Sequence, residues 1–140
     1  MSTDSLSVAA EFKVLVIDDS NTIRRSAEIF LKQAGYQVLL AEDGFDALSK
    51  VNDYEPHIIF CDILMPRLDG YQTCAIIKRS AKFGATPFVM LSSKDGLFDK
   101  ARGKMVGAED YLTKPFTKEQ LLKTVSLYRG ESGVAAVAAA

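Results

Sequence analysis

The sequence predicts an α/β domain: a parallel sheet of five strands, doubly wound, with helices over both faces. Three observations predict it. Short continuous apolar runs recur along the chain, and runs of this length read as strands covered on both faces. Between them lie stretches whose apolar residues fall at helical spacing. The two kinds of segment alternate five times, the signature of right-handed βαβ crossovers.

The elements follow in order. Met1 to Glu11 is polar and rich in small residues, and is expected to be a flexible leader. Phe12–Ile17 is the first strand and ends in Asp18-Asp19. Ser20 or Asn21 caps a helix from Thr22 to about Ala34, whose residues Ile23, Ala27, Phe30, Leu31 and Ala34 share one face. Gly35 ends it as a glycine just past a helix does. Tyr36–Ala41 is the second strand, and Glu42-Asp43-Gly44 turns the chain into a helix carrying Ala47, Leu48 and Val51. Pro56 stops that region. The central strand is Ile58–Asp62, in which four apolar residues run straight into one carboxylate. Pro66 and Gly70 mark the loop that follows. Asp69 is a candidate cap for a helix from Tyr71 to about Arg79.

After a connector, Pro87 opens the fourth strand, Phe88–Ser92. The fourth helix, about Leu97 to Met105, is the least apolar. Leu97, Phe98, Ala101 and Met105 are its expected packing face, and Lys100, Arg102 and Lys104 its basic outside. Gly103 within it costs about 1 kcal/mol relative to alanine. Tyr111–Thr113 is a short fifth strand, and Thr117 caps a last helix through Leu121, Leu122, Val125 and Tyr128. The domain thus spans residues 12–129, and 130–140 is expected to be a disordered tail.

The totals narrow the function classes. The 140 residues suit one domain with one core. A net charge of −1 gives no global field for nucleic acid or an anionic membrane. No apolar run approaches the ~20 residues that span a bilayer, and the leader lacks the basic and apolar regions of a signal peptide. Cys61 and Cys74 fall on a strand and a helix and read as small buried hydrophobes. The expected compartment is the reducing cytoplasm.

Asp18, Asp19, Asp62, Ser92 and Lys114 all fall at carboxyl ends of predicted strands, where sites form in open parallel sheets. Three clustered aspartates repel by roughly 4 kcal/mol per pair at 4 Å and an effective dielectric near 20. They need a countercharge, and Mg²⁺ is the natural one because it prefers hard oxygen ligands. A carboxylate beside it can be a nucleophile toward phosphorus. Lys114 adds a compact positive charge, and Ser92 is placed to read the result. One hydrogen bond to a charged group is worth about 1.5–3 kcal/mol. A full 1:99 to 99:1 switch needs about 5.5, so Ser92 cannot throw it alone. His57 is expected at the surface and Met65 and Met90 in the core. Arg24-Arg25 read as a solvated helix face, with docking of a kinase or phosphotransfer partner as the alternative. An aspartate phosphatase using Asp18 as nucleophile stays open, although Ser20 stands where such enzymes carry a second acid. So does a scaffold that binds partners without phosphorylation.

Four stretches, taken together, resemble response-regulator receiver domains: Val16-Ile17-Asp18-Asp19-Ser20, Asp62-Ile63-Leu64-Met65-Pro66 with Asp69-Gly70, Leu91-Ser92-Ser93, and Lys114-Pro115-Phe116. The resemblance covers about Phe12 to Tyr128 and is strongest to stand-alone chemotaxis-type regulators, including those of twitching motility by type IV pili. It implies a flavodoxin-like (βα)5 fold with strand order 2-1-3-4-5. It implies Asp62 as acceptor of phosphate from a phosphohistidine on a sensor kinase or phosphotransfer domain. It implies Mg²⁺ held by Asp19, Asp62 and the backbone carbonyl of Leu64, with Asp18 acting through water. Ser92 stands at the switch hydroxyl, Tyr111 at the switch aromatic, and Lys114 at the phosphate-binding position with a cis bond to Pro115. Output is expected through the fourth helix, fifth strand and fifth helix, from a monomer or weak dimer. Serine stands where threonine is commoner at 92, and Leu64 places an apolar side chain two residues after the acceptor.

Overall fold

A computed structural model describes residues 11–93 and 97–130. Apart from Glu11 and Gly130, the expected leader and tail lie outside the described residues. Five strands are present: β1 (Lys13–Ile17), β2 (Gln37–Ala41), β3 (Ile58–Asp62), β4 (Phe88–Ser92) and β5 (Asp110–Thr113). They form one parallel sheet in the order β2-β1-β3-β4-β5. The helices are α1 (Asn21–Gln33), α2 (Gly44–Tyr54), α3 (Gly70–Arg79), α4 (Leu97–Met105) and α5 (Lys118–Arg129).

Strand alternation sorts the core into two layers. Val14, Val16, Ile58, Phe60, Val89 and Leu91 face Ala27 and Leu31 of α1 and Leu121 and Val125 of α5. Leu15, Ile17, Ile59, Cys61, Phe88 and Met90 face Ala47 and Val51 of α2 and Cys74 and Ile77 of α3. Both sides of the central strands are therefore dry, which explains their unbroken apolar runs. Both cysteines are free and buried.

The caps fix where each helix begins. Ser20 Oγ accepts from the Ile23 N–H at 3.3 Å, and the Asp43 side chain accepts from the Asp46 N–H at 2.8 Å. Asp69 and Gln72 form a capping box for α3, as Thr117 and Gln120 do for α5. Gly35 ends α1 with φ +92°. Gly70 has a different reason to be glycine: a Cβ there would fall on the Asp62 carbonyl oxygen and 2.8 Å from Ile63 Cα.

Two of the four residues expected on the packing face of α4 are corrected, and the side chains of the other two, Leu97 and Phe98, lie outside what the structure describes. Met105 is 85% exposed and Ala101 is exposed. The buried residue of this turn is Gly103, where an added Cβ would lie 3.4 Å from Met90 Cγ. Val106 and Ala108, just beyond the helix, pack against the same core layer.

Candidate phosphoryl-transfer site

Three strand ends and one turn build the site. β1 delivers Asp18, wholly buried, and the exposed Asp19. β3 delivers Asp62, which is 4% exposed. Lys114 follows β5, at a cis peptide bond to Pro115. Its ammonium donates to Asp18 Oδ2 and to Asp62 Oδ1, each at 3.0 Å. One carboxylate oxygen from each of Asp18, Asp19 and Asp62 lies within 4.8 Å of the others. Asp18 Oδ1 also accepts from the Ser20 N–H at 2.8 Å, so the N-terminus of α1 orients that carboxylate. The Leu64 N–H reaches Asp62 Oδ1 at 3.4 Å.

The charge balance is short on the positive side. Burial, then the Asp18 charge, push the Asp62 carboxyl up to about 6, against the hydrogen bond and charge of Lys114 and the Leu64 N–H. Burial pulls the Lys114 ammonium down, but hydrogen bonds to Asp18 and Asp62, with their charges, outweigh it and leave it raised. One lysine thus does not neutralise the group. The donor set is three carboxylates with an exposed edge at Asp19. Hard oxygens, a surplus of negative charge and an open side fit a divalent ion that keeps its own waters, which describes Mg²⁺.

Ser92, 3% exposed, ends β4 and lines a shallow cavity of about 160 Å³ with Asp62, Ile63, Leu64, Ser93 and Asp99. Its hydroxyl donates to Asp99 Oδ2 at 3.1 Å. The Leu64 side chain is 71% exposed beside that cavity. The chain thus brings Asp18, Asp19, Asp62, Ser92, Leu64 and Lys114 to one rim.

The chain matches the response regulator receiver domain model over residues 14–126. It belongs to the response-regulator receiver family. Protein PilG of Pseudomonas aeruginosa is 63% identical over 116 residues, covering 83% of this chain and 86% of that protein. PilH of the same organism is 39% identical over 114 residues, 81% of this chain and 94% of its own. Among solved structures, the chemotaxis response regulator CheY4 of Vibrio cholerae superposes with a TM-score of 0.80 at 37% identity. That match covers 84% of this chain and 98% of CheY4. The chain is therefore a receiver of the chemotaxis type and a two-component response regulator. Receiver domains bind Mg²⁺ at an acidic pocket and work with a histidine kinase and downstream targets, and this chain carries the acidic cluster of Asp18, Asp19 and Asp62.

Tyr111 stands apart from the rim. It is half-buried against the α2–α3–α4 core layer and lines a cavity of about 520 Å³ between α4 and β5, with Lys100 Nζ 5.3 Å from its ring centre. His57 is at the surface, stacked on Phe12.

Two residues escaped the sequence reading. Arg24 is not simply a solvated face: Nη1 donates to the Asp18 carbonyl at 2.6 Å and Nη2 to Asn21 Oδ1 at 3.1 Å. Arg25, its neighbour, does face water. The signal was present, because long side chains in a first turn lean back toward the helix N-terminus. Asp99 is the other. Nothing along the chain distinguishes it from an ordinary acid in the first turn of a helix.

Proposed function

We propose that Asp62 accepts a phosphoryl group from a phosphohistidine of a sensor kinase or phosphotransfer domain, in a Mg²⁺-dependent reaction. The observation that carries this is the convergence of Asp18, Asp19, Asp62 and Lys114 from three strands. One Asp62 carboxylate oxygen attacks phosphorus. A new P–O bond forms, and the bond to the donor nitrogen breaks with its electron pair leaving on the imidazole. Lys114 holds the attacking carboxylate and screens the incoming phosphoryl oxygens. Asp19, Asp62 and the Leu64 carbonyl would hold Mg²⁺ directly and Asp18 through water. When bound, the ion neutralises charge on the transferring group. Ser92 then donates to the phosphoryl group, and Tyr111 responds from the α4–β5 side. The chain's own chemistry ends with loss of that phosphate to water.

Output is by protein contact through α4, β5 and α5, in twitching motility with type IV pili or in chemotaxis, supported by the likeness to PilG and CheY4. The unit that folds and signals is 12–129, with 1–11 a leader and 130–140 a tail. The protein works in the cytoplasm as a monomer or weak dimer, without nucleic acid or membrane insertion. Among the described residues no helix is long and apolar enough to cross a membrane.

Intact mass tests the acceptor. Incubated with a small phosphodonor and Mg²⁺, the wild-type chain gains one phosphoryl adduct. The adduct is lost with chelator and in Asp62→Asn. An undiminished adduct in Asp62→Asn contradicts the assignment.

A further inference from the structure

Asp99 lies where two buried donors meet. Its Oδ2 accepts from Ser92 Oγ at 3.1 Å, and its Oδ1 lies 3.4 Å from the Tyr71 hydroxyl. Ser92 is 3% and Tyr71 5% exposed, so both donors belong to the body of the domain, on β4 and α3. Asp99 itself sits in the first turn of α4. Its carboxylate shares the cavity of about 160 Å³ with Asp62. Arg102, one turn on, places its guanidinium 4.3 Å from the Tyr71 ring centre. Asp99 thus ties the first turn of α4 to the wall of the site.

Among its described side chains, the rest of α4 is lightly held. It has nine residues, too few to be stable without packing. It presents Gly103 to the sheet, leaves Met105 in water, and borders the cavity of about 520 Å³ against β5. Losing one tether matters more here than in α1 or α5.

We propose that Asp99 is a latch released by phosphorylation: in the unmodified protein it holds the first turn of α4 to Ser92 and Tyr71, and a phosphoryl group on Asp62 displaces it. The proposal rests on Asp62 as acceptor. A serine hydroxyl carries one proton and donates to one acceptor at a time. A phosphoryl oxygen in the shared cavity competes with Asp99 for that proton. The phosphoryl charge also repels the carboxylate directly. Both effects act in one direction, away from β4. Ser92 then acts with Asp99, and one hydroxyl does not have to supply the whole switch.

Hydrogen exchange of the α4 amides, read with intact mass on the full chain, tests this. A charge-assisted hydrogen bond predicts that Asp99→Ala and Ser92→Ala each speed α4 exchange about tenfold, and that the double variant is no faster than about tenfold. If Asp99 serves only its own helix, Ser92→Ala leaves α4 exchange unchanged, and if the two residues act independently the double variant is about a hundredfold faster; either result overturns the latch. With acetyl phosphate and Mg²⁺, exchange per phosphorylated molecule should rise about tenfold in wild type and less than about twofold in Asp99→Ala. A full adduct with α4 exchange unchanged in wild type, or raised equally in Asp99→Ala, overturns the latch and leaves the acceptor standing. No adduct on wild type removes the acceptor, and the latch with it.

Discussion

The rim around Asp62 and the edge formed by α4 and β5 are built on opposite terms. At the rim, Asp18 and Asp62 are buried and bound to Lys114, and Gly70 is wedged against the backbone of Asp62 and Ile63. At the edge, Gly103 leaves space, Met105 is in water and a cavity of about 520 Å³ separates helix from strand. The contrast teaches where rigidity is spent. The phosphoryl transfer proposed for the rim depends on positioning, which fixed groups supply. Signalling depends on a second arrangement of similar free energy, which a loosely packed helix can reach.

The largest break in that contrast comes from the rim. Lys114→Ala leaves two buried carboxylates with no countercharge and should cost about 3 kcal/mol in magnesium-free urea melts at pH 7.5. The loss should shrink at pH 5.5, where Asp62 takes a proton. Gly70→Ala, an overpacking against backbone that cannot yield, should cost about 2–3 kcal/mol in the same assay.

Asp62→Asn should act with the opposite sign. The folded carboxyl titrates near 6, above its ordinary 3.8, so between those values the folded state binds more protons than the unfolded one. Wild-type stability therefore falls as pH rises through that window, and the deficit is complete above pH 6. The asparagine variant should be more stable by on the order of 2 kcal/mol at pH 7.5 without magnesium, and no more stable below pH 4. A pH-independent difference would contradict this charge account.

The smallest effect sharpens the comparison most. Gly103→Ala makes the same chemical change as Gly70→Ala, at the loose edge. It gains helix propensity and meets the flexible Met90 side chain at 3.4 Å and Ala108 Cβ at 3.8 Å, both ordinary contacts. It should stabilise by about 0.5–1 kcal/mol. Equal signs for the two glycines would erase the distinction between rim and edge.

Most of this was legible along the chain. β3 and β4 read cleanly because both faces are buried, so their apolar runs are unbroken. Asp69 and Thr117 read as caps because capping is local chemistry. Asp18, Asp19, Asp62 and Lys114 stood out because strand ends converge in a parallel sheet whatever the details. What stayed hidden is tertiary. Met105 lies one turn beyond Ala101, and periodicity alone placed it inside, while the contacts that Val106 and Ala108 make beyond the helix lie outside any helical pattern. Asp99 joins Ser92 only once α4 has docked over β4, and no spacing announces that.

Magnesium-linked stability tests the central claim, that the rim carries a surplus of negative charge which a divalent ion completes. At pH 7.5, Mg²⁺ at about 100 times its dissociation constant should raise wild-type stability by ~2.7 kcal/mol, and the same concentration should do far less for Asp62→Asn. Equal stabilisation of the two, or none of the wild type, would contradict the account.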